Sequence, residues 1–186
     1  MKILILKILP ALALLSGPAI SLAQTDDYRD QGTIDATFKT ELLNLGFENG
    51  EYPASEPKFE ITDNFIHIKF VSALKPDGTV ATGQVTVDIT TDDVVQASAL
   101  ACAATINQLK MAAGGDLSRI RKIANIRYTT FTVADWWDYI PGSNSCSEMI
   151  LRVFGKSAGS HTRHAEGHGT SEGNETYRIE MLAYLK

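Results

Sequence analysis

The chain has 186 residues, of which 44% are hydrophobic, and a formal charge of −5. That length and apolar content suit one compact domain with a real core. With 22 acidic residues against 17 Lys and Arg, and no long basic run, it lacks what a nucleic-acid phosphate backbone needs from a partner.

The first residues, MKILILKILPALALLSGPAISLA, place Lys2 and Lys7 around an apolar stretch that ends at Ser21-Leu22-Ala23. The pattern is that of a secretory signal with a small-residue cleavage site, so residues 1–23 are set aside from fold reasoning. Pro10, Gly17 and Pro18 interrupt a stretch too short to span a bilayer comfortably, which argues against stable membrane association. Removing residues 1–23 from the 186 leaves 163, and because those residues hold two lysines and no acid the charge moves to −7. The protein is expected to be secreted, into a periplasm-like space. Residues 24–37 are polar and expected to be a flexible N-terminal segment. A single domain is expected over residues 38–186.

Within it, Phe38 to Leu45 reads as a helical turn or two. KFEITDNFIHIKFVSAL alternates apolar and polar residues around Asp63-Asn64, which predicts a β-hairpin. Lys75-Pro76-Asp77-Gly78 is a turn, followed by a strand over Gly83 to Val87. A helix starts at Thr90 or Thr91 and stops at Gly114-Gly115, with Val95, Ala99, Cys102, Ile106, Leu109 and Ala113 forming one buried stripe. RIRKIANIRYTTFTV predicts a long strand. A second helix is expected from about Ser143 to Phe154, and two strands close the chain, over 161–169 and 176–185. Cys102 and Cys146 both fall at apolar helix positions. Two buried free thiols are expected, with a disulfide as the alternative that an oxidising compartment would allow.

Strands, helix, strand, helix, strands with two amphipathic helices describe an α+β fold with both helices on one face of one sheet. No remaining segment covers the other face, so association of subunits is expected.

Several pieces of the sequence fit a known family in order and spacing. They are LGF at Leu45–Phe47, FVS at Phe70–Ser72, the alanine-rich helix with Asn107, GDLSRI at Gly115–Ile120, SNSCSEMILRVFG at Ser143–Gly155, HTR at His161–Arg163 and IEMLAYL at Ile179–Leu185. Over about residues 42–185 the chain resembles the RidA/YjgF family, also called L-PSP endoribonuclease-like. The resemblance implies a chorismate-mutase-like α+β fold, a mixed β-sheet with two helices packed on one face. It also implies a homotrimer whose sheets form a central barrel, with sites in the clefts between subunits. The endoribonuclease label finds no support in so acidic a chain.

In family members that hydrolyse 2-imino and enamino acids, an arginine grips the substrate carboxylate, and Arg163 holds that place here. A guanidinium fork suits the task because it can donate two parallel hydrogen bonds to one carboxylate. Ser72 stands where the family has a serine near the ligand, although Ala73 follows it where glycine is usual. Phe59 lies where an aromatic lines the pocket, and Asn144 matches an asparagine at the start of the second helix, a position where it could equally be a helix cap. The resemblance also implies a water-activating glutamate fifteen residues after the arginine, and Arg178 stands there instead. A cation cannot be a general base, and a second arginine there would instead help to bind an anionic substrate. Glu175 or Glu180 could substitute only through a shifted register of the last hairpin.

A strand over 161–169 would put Arg163, Ala165 and Gly167 on one face and His164, Glu166 and His168 on the other. His-x-Glu-x-His has the donor types of a zinc site, but a polar cluster near solvent is the expected reading, with no metal and no cofactor. Trp136 and Trp137 in DWWDY are expected to be packing residues. The sequence thus predicts a RidA-like homotrimer that binds a small carboxylate between subunits, with imine or enamine hydrolysis as the activity in view. The alternative is a noncatalytic ligand-binding or interaction protein of the same fold that has lost the glutamate.

Overall fold

The computed structural model describes residues 27–85, 89–132, 140–169, 171 and 173–186. The signal expected over 1–23, residues 86 and 87 of the expected 83–87 strand and the DWWDY segment lie outside them.

The first helix, α1, spans Gln31–Asn44. Asp30 caps it by accepting from the Thr33 backbone N–H at 2.8 Å. Ile34, Phe38 and Leu42, four residues apart, are all buried. The expectation of a flexible segment to residue 37 is therefore corrected. The polar look of that stretch is the solvent face of a helix whose apolar positions fall one per turn. A β-hairpin follows, β1 (Phe59–Thr62) and β2 (Phe65–Ser72), turning where Asp63 takes a left-handed φ of 55°. Residues 82 and 85 make isolated bridges to Glu175 and Thr132, not a named strand.

Helix α2 (Thr91–Ala112) opens with a capping box in which Thr90 and Asp93 satisfy each other's backbone N–H. Its burial is wider than one stripe. Val94 is buried in place of the expected Val95, and every residue from Ala97 to Ile106 is buried, because α2 packs on the sheet and also alongside α3. Strand β3 (Ile120–Phe131) leads through the region 133–139 to helix α3 (Ile140–Gly159), then to β4 (Thr162–His168) and β5 (Tyr177–Leu185). The sheet order is β1-β2-β5-β3-β4, with β3 and β4 parallel and the other pairs antiparallel.

Among the described residues three α-helices are present, where two helices and a helical turn or two were expected. The third, α1, packs against α3 and not on the sheet, and Glu41 of α1 receives Arg152 of α3 through two guanidinium bonds of 2.6 and 3.1 Å. The cysteines are joined, Cys102 of α2 to Cys146 of α3, with Cα atoms 5.3 Å apart and both residues fully buried. Free thiols are thus corrected to a disulfide. Both positions are apolar because each helix turns that face to the other, which is also what brings the sulfurs together.

Candidate functional site

Two clusters of polar side chains occupy the places the sequence singled out, and the sheet keeps them apart. Arg163 lies on β4, the edge strand, while Ser72 and Arg178 lie on β2 and β5. From β4 to β2 is three strand spacings, roughly 14 Å.

At the edge, Arg163 is exposed and donates from Nη1 to Asn144 Oδ1 at 2.6 Å. Asn144 sits inside α3, which begins at Ile140, so it is not the helix cap and its side chain is free to face β4. Asn144, Ser147 and Leu151 recur three and four residues apart and share a helix face. Ser147, Leu151, Ser160, His161 and Arg163 line an open cavity of about 260 Å³.

At the second cluster, Ser72 is Arg178's cross-strand partner because of an irregularity in β2. One extra residue lies between Ile68 and Val71 against β5, Phe70 takes a φ of 21°, and it is turned outward, half exposed. Ile66, Ile68 and Val71 are buried, while strict alternation would have buried Phe70 and Ser72. Ser72 Oγ donates to Glu175 Oε1 at 2.9 Å, Arg178 pairs through Nε with the other Glu175 oxygen, and the guanidinium stacks 5.0 Å above the Phe131 ring. Glu175 thus reaches Ser72 and Arg178 without any shift of the last hairpin. It lies before β5, at the bridge to Thr82, and approaches from the strand's end. Sequence reasoning tied Glu175 to a register slip and so missed this route.

Phe59 packs half-buried against the core from β1. The aromatic side chain that lines a cavity with Ser72 and Glu175 is Tyr52, in a space of about 170 Å³ closed by Val71, Ala104 and Gln108. Burial pushes the Tyr52 phenol well above its ordinary range, so it stays a neutral hydroxyl.

The faces of β4 fall as the alternation predicted. Ala165 packs against the core, while His164 and His168 each approach Glu166 at 3.3 Å on the opposite face. Thr129 also donates to Glu166, at 3.2 Å. The chain of charge continues through Arg127, which lies 3.9 Å from Glu166 and 3.4 Å from Glu180, to His67, 2.5 Å from Glu180. The imidazoles therefore hang on one carboxylate along an extended strand. Among the described residues, no three His, Cys, Asp or Glu side chains converge to hold a metal ion. Among the same residues, no helix is long and apolar enough to cross a membrane.

No family model matches the chain. Protein TCP17 of Trypanosoma cruzi is 32% identical over 108 residues, 58% of this chain and 67% of TCP17. The crystal structure of Atu1372, a protein of unknown function from Agrobacterium tumefaciens, superposes with a TM-score of 0.73 and 25% identity, covering 84% of this chain and 98% of that one. The YjgF gene product of E. coli superposes with a TM-score of 0.50 at 13% identity over 73% of this chain and 91% of its own. The chain belongs with TCP17 to one sequence family, and its mixed α+β architecture places it in the RidA/YjgF fold family.

Proposed function

We propose that this is a RidA-like protein that binds small carboxylates in clefts between the subunits of a homotrimer, with Arg163 as the carboxylate-binding residue. The observation that carries the reading is the separation of the two polar clusters. Arg163 stands at an exposed edge, and Ser72, Glu175 and Arg178 stand across three strands. A neighbouring protomer's edge strand can supply what one protomer cannot bring together. The sheet face opposite the helices supports assembly, because Phe65, Leu182 and Tyr184 lie half-covered there beside the charged chain of His67, Glu180, Arg127 and Glu166.

Arg163 keeps donors for a ligand after spending one on Asn144, which orients the guanidinium plane. Glu175 supplies the carboxylate that Arg178 cannot, and with it the hydrolysis of 2-imino acids to 2-keto acids and ammonia. In that reaction a water loses its proton to Glu175 as its oxygen bonds to the imine carbon, and Glu175 passes the proton to the nitrogen. The C–N bond of the carbinolamine then breaks as its hydroxyl proton moves by the same route, releasing ammonia and the 2-keto acid. The second reading, a noncatalytic binder, is favoured by the engagement of both Glu175 oxygens, one by Ser72 and one by Arg178.

Titration calorimetry with a 2-keto acid, paired with ammonia release from 2-iminopropanoate, tests both. Arg163→Ala is expected to abolish binding and Glu175→Gln to abolish hydrolysis while preserving binding. Unchanged affinity in Arg163→Ala refutes the site. A wild-type protein that binds the keto acid and releases no ammonia is the binder. Export is proposed on the same footing, and the disulfide supports it, since such links persist in oxidising compartments.

A further inference from the structure

The cavity beside Arg163 holds a second set of groups that carboxylate binding does not use. His161 sits at the junction of α3 and β4. Its Nδ1 lies 2.6 Å from the Gly159 carbonyl oxygen, which can only accept, so Nδ1 carries the ring proton. Nε2 then presents a lone pair, and Ser147 Oγ lies 3.1 Å from it. Tyr128, buried on β3, places its hydroxyl 3.0 Å from the same Oγ and 3.5 Å from Nε2. Since the serine proton goes to the histidine, the tyrosine donates to the serine oxygen. Nucleophile, base and a third group that orients the base are thus in place, and Ser147 and His161 both open onto the cavity.

The surroundings favour the working protonation states. Burial, and then the nearby charges of Arg163 and Lys122, push His161 below its ordinary 6.5 against the opposing pull of the Gly159 carbonyl, leaving a neutral imidazole at pH 7. Burial holds the Tyr128 phenol up at about 12, so it remains a donor.

We propose that Ser147 and His161 form a nucleophile–base pair that cleaves small esters whose acyl part carries a second carboxylate, such as half-esters of dicarboxylic acids. The Ser147 oxygen bonds to the ester carbonyl carbon as His161 Nε2 takes the hydroxyl proton. The bond to the alcohol oxygen then breaks and His161 returns the proton to it. Water repeats the cycle on the acyl-serine, giving the free acid and restoring the hydroxyl. Arg163 anchors the second carboxylate. The substrate class rests on the carboxylate-binding role proposed above for Arg163, whereas the Ser147–His161 pair does not.

The test uses two probes on the folded, disulfide-bonded protein. A neutral alkyl fluorophosphonate is expected to leave a single adduct, mapped by peptide mass spectrometry to Ser147 and absent in Ser147→Ala. The labelling rate is expected to rise with pH through a midpoint below 6.5 and to fall at least about 100-fold in His161→Gln. If His161→Gln does not fold, Ser147→Cys serves instead, its thiol alkylating well below the ordinary thiol range of about 8.5 because the imidazole takes its proton, and alkylation with an ordinary thiol profile overturns the pair. No adduct at Ser147, equal labelling in a folded His161→Gln, or a rate without that midpoint overturns the pair. The second probe is 4-nitrophenyl hemisuccinate, compared with 4-nitrophenyl butyrate. Wild type is expected to prefer the anionic ester and Arg163→Ala to lose that preference. Labelling of Ser147 with no anionic preference in wild type keeps the pair and overturns the substrate class and Arg163 together.

Discussion

Breaking the Cys102–Cys146 link should lower the melting temperature by about 12 °C. The two cysteines are 44 residues apart in sequence. Closing a loop of that size removes roughly 13 cal/mol/K from the unfolded chain, or about 4 kcal/mol at 25 °C. Unfolding roughly 160 residues carries an entropy near 0.34 kcal/mol/K, which converts that energy into the stated shift. Both cysteines are fully buried, so reductant reaches the sulfurs only through unfolding. The assay is therefore calorimetry on the oxidised protein against protein unfolded and refolded in reductant. Cys102→Ala/Cys146→Ala is the control that cannot reoxidise. Two thiols titrating in denaturant without reductant would refute the pairing. Melting temperatures within about 3 °C of each other would refute the loop-entropy reasoning.

Leu182→Asp, in the middle of the sheet face opposite the helices, should dissociate the trimer proposed above, read by native mass spectrometry. An intact trimer in that variant would place the interface elsewhere. Gly155→Ala should cost about 2–4 kcal/mol, because Gly155 has a φ of 71° and an added Cβ would lie 2.6 Å from the Asp27 carbonyl oxygen. The urea midpoint reads it. His161 makes a pH prediction whose sign follows from its lowered folded-state pKa. The unfolded chain takes up the proton first, so the stabilisation is complete above about 6.5 and is lost as pH falls below it. Melting temperatures between pH 7.5 and 5 should drop more steeply for wild type than for His161→Gln. Parallel curves would show that the ring's burial is not coupled to its charge.

Much of the fold was legible because the local signals were strong and agreed. The hairpin turn at Asp63-Asn64, the Thr90 cap, the glycine stop after α2 and the alternation along β5 each follow from short-range chemistry that neighbouring residues fix. The β4 alternation likewise separated Arg163 from His164 and His168 in advance. Only the second half of helix α1 was read from the sequence, because its apolar positions come once per turn and its other faces are polar, so the composition of its first turns resembled a tail.

What only the tertiary structure decided are the contacts between distant segments. The β2 irregularity turned Ser72 toward Arg178, and an extra residue leaves no mark in an alternating pattern. Glu175 reached Ser72 across 103 residues, and His161 met Ser147 and Tyr128 only once α3 had been laid against β3 and β4. The pairing of the cysteines belongs with these, since an apolar helix position looks the same whether it faces a side chain or a second sulfur. Sequence by itself determined where the strongly patterned elements lie and, outside the β2 irregularity and the wider burial of α2, which face their residues take. The distances between elements came from packing, because periodicity encodes direction along a strand or helix and carries no information about what stands opposite.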